Sequence, residues 1–416
     1  MFRAALPFAF FVMTTIMAAP TPLGAAPNDN ARLQAHTKAL QTNGKAPIPF
    51  VLDAMEKHDL IVFDDALHNV VHPWKFYEEL VRERRFQEAA PTIFLEIVPV
   101  NRQPALDAYF STFPEDRSLL IPAFQDRYGW AYKTYYDFLH AVYVVNQGLT
   151  PENRLTVKAV STPSYWKEIA TKADWDNLNQ RAVLARDYHM YQIILADLTN
   201  FEGGKKGIFL TNTRHAYTNI RKPDGSPFWN TGTFLRQWHP GKSYSVRFNA
   251  PILNIEKERR DDGSPRTAEG LDRYQYSWAR VENGLWDAAF AEFGNDPVAI
   301  DLHKTGFGEA SYMGNHMHKA ASGQKMRDAY DGVIFMTPLE QQEASAHIDF
   351  IYTPAFKIEL ARRYRITRSP EQIDAMLKEE NVETLEAYID AAHQAEPAHP
   401  SGPAQAVGDI NAWRTE

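Results

Sequence analysis

Short apolar runs rich in β-branched and aromatic residues recur along the chain. Longer stretches between them place apolar positions at helical spacing. The runs are Leu60–Phe63, Thr92–Ile97, Leu155–Val160, Gly207–Thr211, Tyr244–Phe248, Val298–Asp301 and Gly332–Met336. Several are continuously apolar rather than alternating, as in strands buried on both faces. Helical spacing predicts helices over 72–89, 129–147, 177–201 and 279–293. Strands alternating with helices imply an α/β fold, a mainly parallel sheet with helices on both faces. The long aromatic stretch 99–153 predicts a helical insertion over the carboxyl edge of that sheet. Within it, Tyr128, Trp130, Tyr132, Tyr135, Tyr136 and Phe138 recur at a spacing that favours core over pocket.

The two ends read differently from the middle. Arg3 precedes an apolar run that reaches Met17, and small residues follow at Ala18, Ala19, Gly24, Ala25 and Ala26. This is the layout of a secretory signal peptide over residues 1–26. Pro7, Thr14 and Thr15 make the run a poor membrane span. The expected location is therefore periplasmic or secreted, with no membrane anchor after cleavage. Residues 27–54 read as a polar linker and N-terminal segment, 55–394 as the α/β domain, and 395–416 as a flexible tail rich in Pro, Ala and Gly. The charged stretch 257–266 reads as a solvated loop.

Composition narrows the chemistry. The chain has 416 residues and no cysteine, which removes disulfides, Cys-ligated metals and a thiol nucleophile. Its net charge of −8 comes without a basic stripe, which argues against nucleic acid as a partner. The chain contains no Gly-x-Ser-x-Gly elbow, no P-loop and no His-Glu-x-x-His. Gly306-Phe-Gly308 is a turn rather than a dinucleotide fingerprint, and His316-Met-His318 is a weak metal signal. A general base acting on water, or a His and carboxylate metal site, is what remains.

Ligands of open parallel sheets bind beyond the carboxyl ends of the strands. The first run ends in Asp64-Asp65-Ala-Leu-His68, and the second carries Glu96 in an otherwise apolar setting. The fourth ends in Thr211-Asn212-Thr213-Arg214-His215, and the sixth in Asp301-Leu302-His303. Two histidines, two or three carboxylates, an Asn and an Arg are thus expected at one edge.

These residues resemble the motifs of erythromycin-esterase-like proteins. That family belongs to a wider superfamily with the haem-binding ChaN lipoproteins and the TraB/GumN/Tiki proteins. Asp64-Asp65-Ala66-Leu67-His68 is similar to the Gly-Glu-x-x-His motif, with Asp64 in place of the Gly and Asp65 in place of the Glu, and Phe94-Leu95-Glu96 matches the second-strand Glu. Arg186-Asp187-Tyr188-His189-Met190 is similar to the Arg-Asp-x-x-Met helix, followed by Asn212-Thr-Arg-His215 and by Asp331-Gly-Val-Ile-Phe335. The resemblance implies His68 as general base, Asp65 orienting its ring, and Glu96 as second acid/base. It implies His215 with Arg214 or Asn212 at an oxyanion, and Arg186 bridging carboxylates beneath the site. Trp130 is the aromatic candidate on the substrate side. The implied activity is hydrolysis of an ester or other acyl bond of a small molecule, with no metal and no cofactor. A haem or small-ligand binder of the ChaN type and a metal-dependent Tiki-type peptidase are the alternatives.

Overall fold

The computed structural model describes residues 27–89, 91–126, 131–257, 267–268, 271–272, 274–394, 397 and 400–415. The expected signal segment, most of the charged stretch 257–266, and Tyr128 and Trp130 lie outside them. All seven apolar runs form strands of one sheet: β1 (Leu60–Asp64), β2 (Thr92–Pro99), β3 (Thr156–Ser161), β4 (Gly207–Thr211), β5 (Ser243–Phe248), β6 (Val298–Asp301) and β7 (Gly332–Phe335). Their order is β6-β7-β5-β1-β4-β2-β3. Every pairing is parallel except β6 with β7.

Successive side chains of a strand point to opposite faces. Ile61 and Phe63 of β1 therefore enter one core, and Leu60 and Val62 the other. The first core is roofed by α2 (Pro47–Lys57), α3 (Val71–Arg82) and α7 (Lys133–Gln147), which contribute Phe50, Trp74, Tyr77, Tyr135 and Phe138. The second is roofed by α1 (Pro27–Asn43), α8 (Lys172–Asp197), α10 (Thr231–Trp238) and α11 (Leu285–Glu292). Both faces are thus covered, which is why the strands read as unbroken apolar runs. Among the described residues no helix is long and apolar enough to cross a membrane.

Two local expectations differ from the structure. The polar segment 27–54 folds as α1 and α2. In α1 only Leu33, His36, Thr37 and Leu40 are buried, a narrow stripe that the Asn, Gln and Lys around it conceal. The segment 99–153 supplies several helices, and the longest, α7, packs beside α3 while its first turn brings Tyr135 against His68 at the carboxyl edge. The end of the chain is not loose. The Ser401 amide donates to Gln342 O, Arg280 Nε donates to Gly408 O, and Trp413 is buried in the second core. The backbone at Ile410 passes so close to Gly284, which has φ +101°, that a β-carbon there would lie 2.4 Å from Ile410 O.

The chain leaves β1 toward α3 on one face and leaves β4 toward the short helix α9 (Thr213–Ala216) and α10 on the other. Adjacent parallel strands that part to opposite faces open a crevice at their carboxyl ends. α10 is seated on the far wall of that crevice. A β-carbon at Gly232 would lie 2.6 Å from the carbonyl oxygens of both Ala216 and Tyr217. Gly232→Ala is therefore expected to cost about 1–3 kcal/mol of stability. It should lower the urea midpoint without changing the slope of the transition.

Candidate functional site

Asp64 and Asp65 follow each other at the end of β1, so their side chains leave on opposite sides. Both are fully buried. Asp64 accepts from the Ala66 amide at 2.8 Å, Thr213 Oγ1 at 2.9 Å and Tyr330 Oη at 2.6 Å, with Arg247 Nη1 at 3.8 Å. The first of these bonds closes a tight turn in which Ala66 takes φ +58°. That turn carries the chain back so that His68 Nδ1 lies 3.0 Å from Asp65 Oδ2. Asp65 thus reaches the ring despite being shorter by one methylene than a Glu.

His68 Nε2 faces inward across the crevice, 3.3 Å from Glu96 Oε2 and 2.8 Å from Asn212 Nδ2. Glu96 sits on the eight-residue strand β2 with 1% of its surface exposed. Burying a carboxylate is expensive unless it is paired. Here Arg186 Nη2, from α8, donates to Oε1, His215 Nε2 stands 3.7 Å from the same oxygen, and Thr211 Oγ1 lies 3.4 Å from Oε2. Asp187, next to Arg186, accepts from His215 Nδ1 at 2.7 Å and from the Thr231 amide and hydroxyl at 2.8 and 3.0 Å. A row of acids and bases therefore runs from Asp65 through His68, Glu96 and His215 to Asp187, each within 4 Å of the next.

Local folding fixes two of these groups. Asn212 is the N-cap of α9 and its Oδ1 accepts from the Arg214 amide at 3.0 Å. That commitment turns Nδ2 toward His68. α8 begins at a capping box between Thr171 and Asp174, and buries Met190, Tyr191 and Ile194. Its Arg186 and Asp187 then face the carboxyl edge.

The charges act on each other strongly. Burial pushes Asp65 up to about 6 against the pull of His68. Burial also opposes the His68 imidazolium, but Asp65 and then Glu96 outweigh it and raise His68 to about 10. Burial works against ionised Glu96 as well. Arg186 and His68 override it and hold that carboxyl well below its ordinary range. Asp187 is lowered in the same way, burial being overridden by His215 and Thr231. Arg214 lies exposed at the rim, and desolvation followed by the neighbouring Arg186 lowers its guanidinium.

The structure thus brings His68, Asp65, Glu96, His215, Asn212 and Arg186 together, with Arg214 at the edge. Trp130 lies outside the described residues. His215 is buried beneath Glu96 rather than facing open space. Asp301 and His303 are elsewhere. Because β6 runs antiparallel, its end lies beside the start of β7, at the amino edge, where His303 Nε2 is 2.9 Å from Asp331 Oδ1. His316 stacks on Phe228 and is lowered to about 4, by burial and then by Arg214. Among the described residues no group of three or more His, Asp or Glu side chains is placed to hold a metal ion. Asp187 and Thr231 were not singled out from the sequence. The first stands within the Arg186-Asp187 motif, whereas nothing local marks the second.

No family model matches the chain, and no curated protein does. Among solved structures, a succinoglycan biosynthesis protein is similar over 76% of this chain and 99% of its own, at 9% identity and a TM-score of 0.48. A Bacillus cereus protein is similar over 73% of this chain and 97% of its own, at 12% identity and a TM-score of 0.48. An erythromycin esterase mutant in its open conformation is similar over 76% of this chain and 97% of its own, at 9% identity and a TM-score of 0.44.

Two outcomes follow from the electrostatics. Arg186→Met strands the buried Glu96 carboxylate and should destabilise the protein by about 3–5 kcal/mol at neutral pH. Adding Glu96→Gln should recover most of that loss, measured by urea unfolding of both variants. His68 titrates near 10 in the folded chain and at the ordinary 6.5 when unfolded, so its contribution is complete below pH 6.5 and lost as pH rises through about 10. Between those limits the stability of wild type should fall more steeply than that of His68→Gln.

Proposed function

We propose that the protein is a hydrolase that cleaves an ester or other acyl bond of a small molecule, with His68 moving the proton. The observation that supports this reading most is the double engagement of His68 Nε2. Asn212 Nδ2 is a donor there, which suits an unprotonated Nε2, whereas Glu96 Oε2 is an acceptor, which suits a protonated one. A ring nitrogen with a partner for each state is equipped to take up and release one proton.

In the unprotonated state, Nε2 accepts a proton from water as the water oxygen bonds to the acyl carbon. Asp65 keeps Nδ1–H in place throughout, and Glu96, held ionised by Arg186, steadies the imidazolium. The bond from the acyl carbon to the leaving oxygen then breaks, and Nε2–H returns the proton to that oxygen. Arg214 is the donor best placed at the rim for the oxyanion between the two steps. A positioned acid/base contributes about two to four orders of magnitude, and an oxyanion donor about two to three.

The test is a panel of ester, lactone and peptide substrates with His68→Ala as control. The variant should lose about two orders of magnitude or more in rate while keeping its fold. Full activity in His68→Ala would rule out the assigned base, and inactivity of wild type across the panel would remove the hydrolase reading. The free protein keeps His68 protonated up to about 10, so kcat/KM should climb with pH toward that value. Glu96→Gln releases the proton more readily and should move the climb to lower pH.

A further inference from the structure

The wall behind Asp65 carries polar atoms that no group among the described residues reaches. They are Asp65 Oδ1, Trp74 Nε1, Tyr77 Oη and Tyr135 Oη, all on side chains no more than 1% exposed. The rings are contiguous. Trp74 lies 4.5 Å from Tyr135 and 5.3 Å from Tyr77, and Tyr135 meets His68 edge-on at 6.3 Å. Of the charges that act on the two phenols, Asp65 is the strongest for both. Folded proteins leave few such groups without a partner, because each costs about 1–3 kcal/mol. The three rings share one aromatic cluster with His68, and their polar atoms with Asp65 Oδ1 are a set of complementary donors and acceptors. One oxygen accepts, one indole N–H donates, and two hydroxyls do either.

We propose that ordered water joins these four groups, so that Tyr77 and Tyr135 are positioning residues that donate through it to the free oxygen of Asp65 and set how tightly His68 holds its proton. A buried water needs two to four polar partners, and these side chains supply them. The two carboxylate oxygens then have separate duties. Oδ2 holds the imidazole, and Oδ1 is solvated from α3 and α7. The groups facing the dyad are Asp64 beside it, Glu96 and Arg186 across the crevice, Asn212 and His215 from the end of β4, and Tyr77, Tyr132 and Tyr135 from the aromatic wall. Donors on Oδ1 stabilise the carboxylate most when His68 is neutral, so they favour release of the proton.

The inference rests on His68 being the acid/base of the site, but its test does not need turnover. The His68 imidazole is titrated by NMR in the full chain as wild type, Tyr77→Phe and Tyr135→Phe, and each is melted. Loss of a hydroxyl should raise the His68 titration by about half a unit. It should also lower the melting temperature, because a bonded group has been removed. If the hydroxyls are merely stranded, Phe leaves the titration in place and melts no lower, and that result overturns the proposal. Titration shifted in both variants with an inactive wild type would keep the water-linked dyad and reject the hydrolase.

Discussion

The structure turns on one ionised carboxylate. Glu96 sits at the carboxyl end of a strand buried on both faces, where a bare charge would be costly. Its compensation comes from three separate elements: Arg186 on α8, His68 after β1 and His215 after β4. Those elements lie on both sides of the sheet. The charge therefore ties the two helical layers together at the crevice, and the acid/base chain exists because Glu96 has to be neutralised from both sides.

The adjacent acids of β1 show how position sorts similar groups. Asp64 is saturated by an amide, two hydroxyls and Arg247, and its role is to close the turn at Ala66. Asp65 has one protein partner, His68, and one oxygen to spare. Strand alternation alone separates them. Exchanging their surroundings would exchange a structural cap for a proton-holding group, with no change in sequence composition.

Much of this was legible in advance because strands buried on both faces announce themselves as unbroken apolar runs. All seven were, and with them the edge where His68, Glu96 and His215 gather. Strand direction was not legible, since a period of two has no sense, and so Asp301 and His303 were expected at the edge opposite to the one they occupy. α1 was hidden because a stripe of Leu33, His36, Thr37 and Leu40 is too sparse to register among polar neighbours. Tyr135 read as core, which it is, whereas Tyr77 was legible only as part of a helix. The charge of Asp65 acts on both phenols, and no spacing rule distinguishes a core tyrosine from one that lies in the field of a buried carboxylate.

The closing stretch of the chain changes how assembly must proceed. Trp413 completes a core begun by Leu33 and Leu40 on α1, and Ile410 lies against Gly284 at the start of α11. Contacts between such distant parts of a sequence form late, because a long loop must close first. The helical layer that carries Arg186 and Asp187 shares that core. The acid/base chain is therefore coupled through its helical layer to contacts between residues 33–40 and residue 413, as distant in sequence as any the sheet makes.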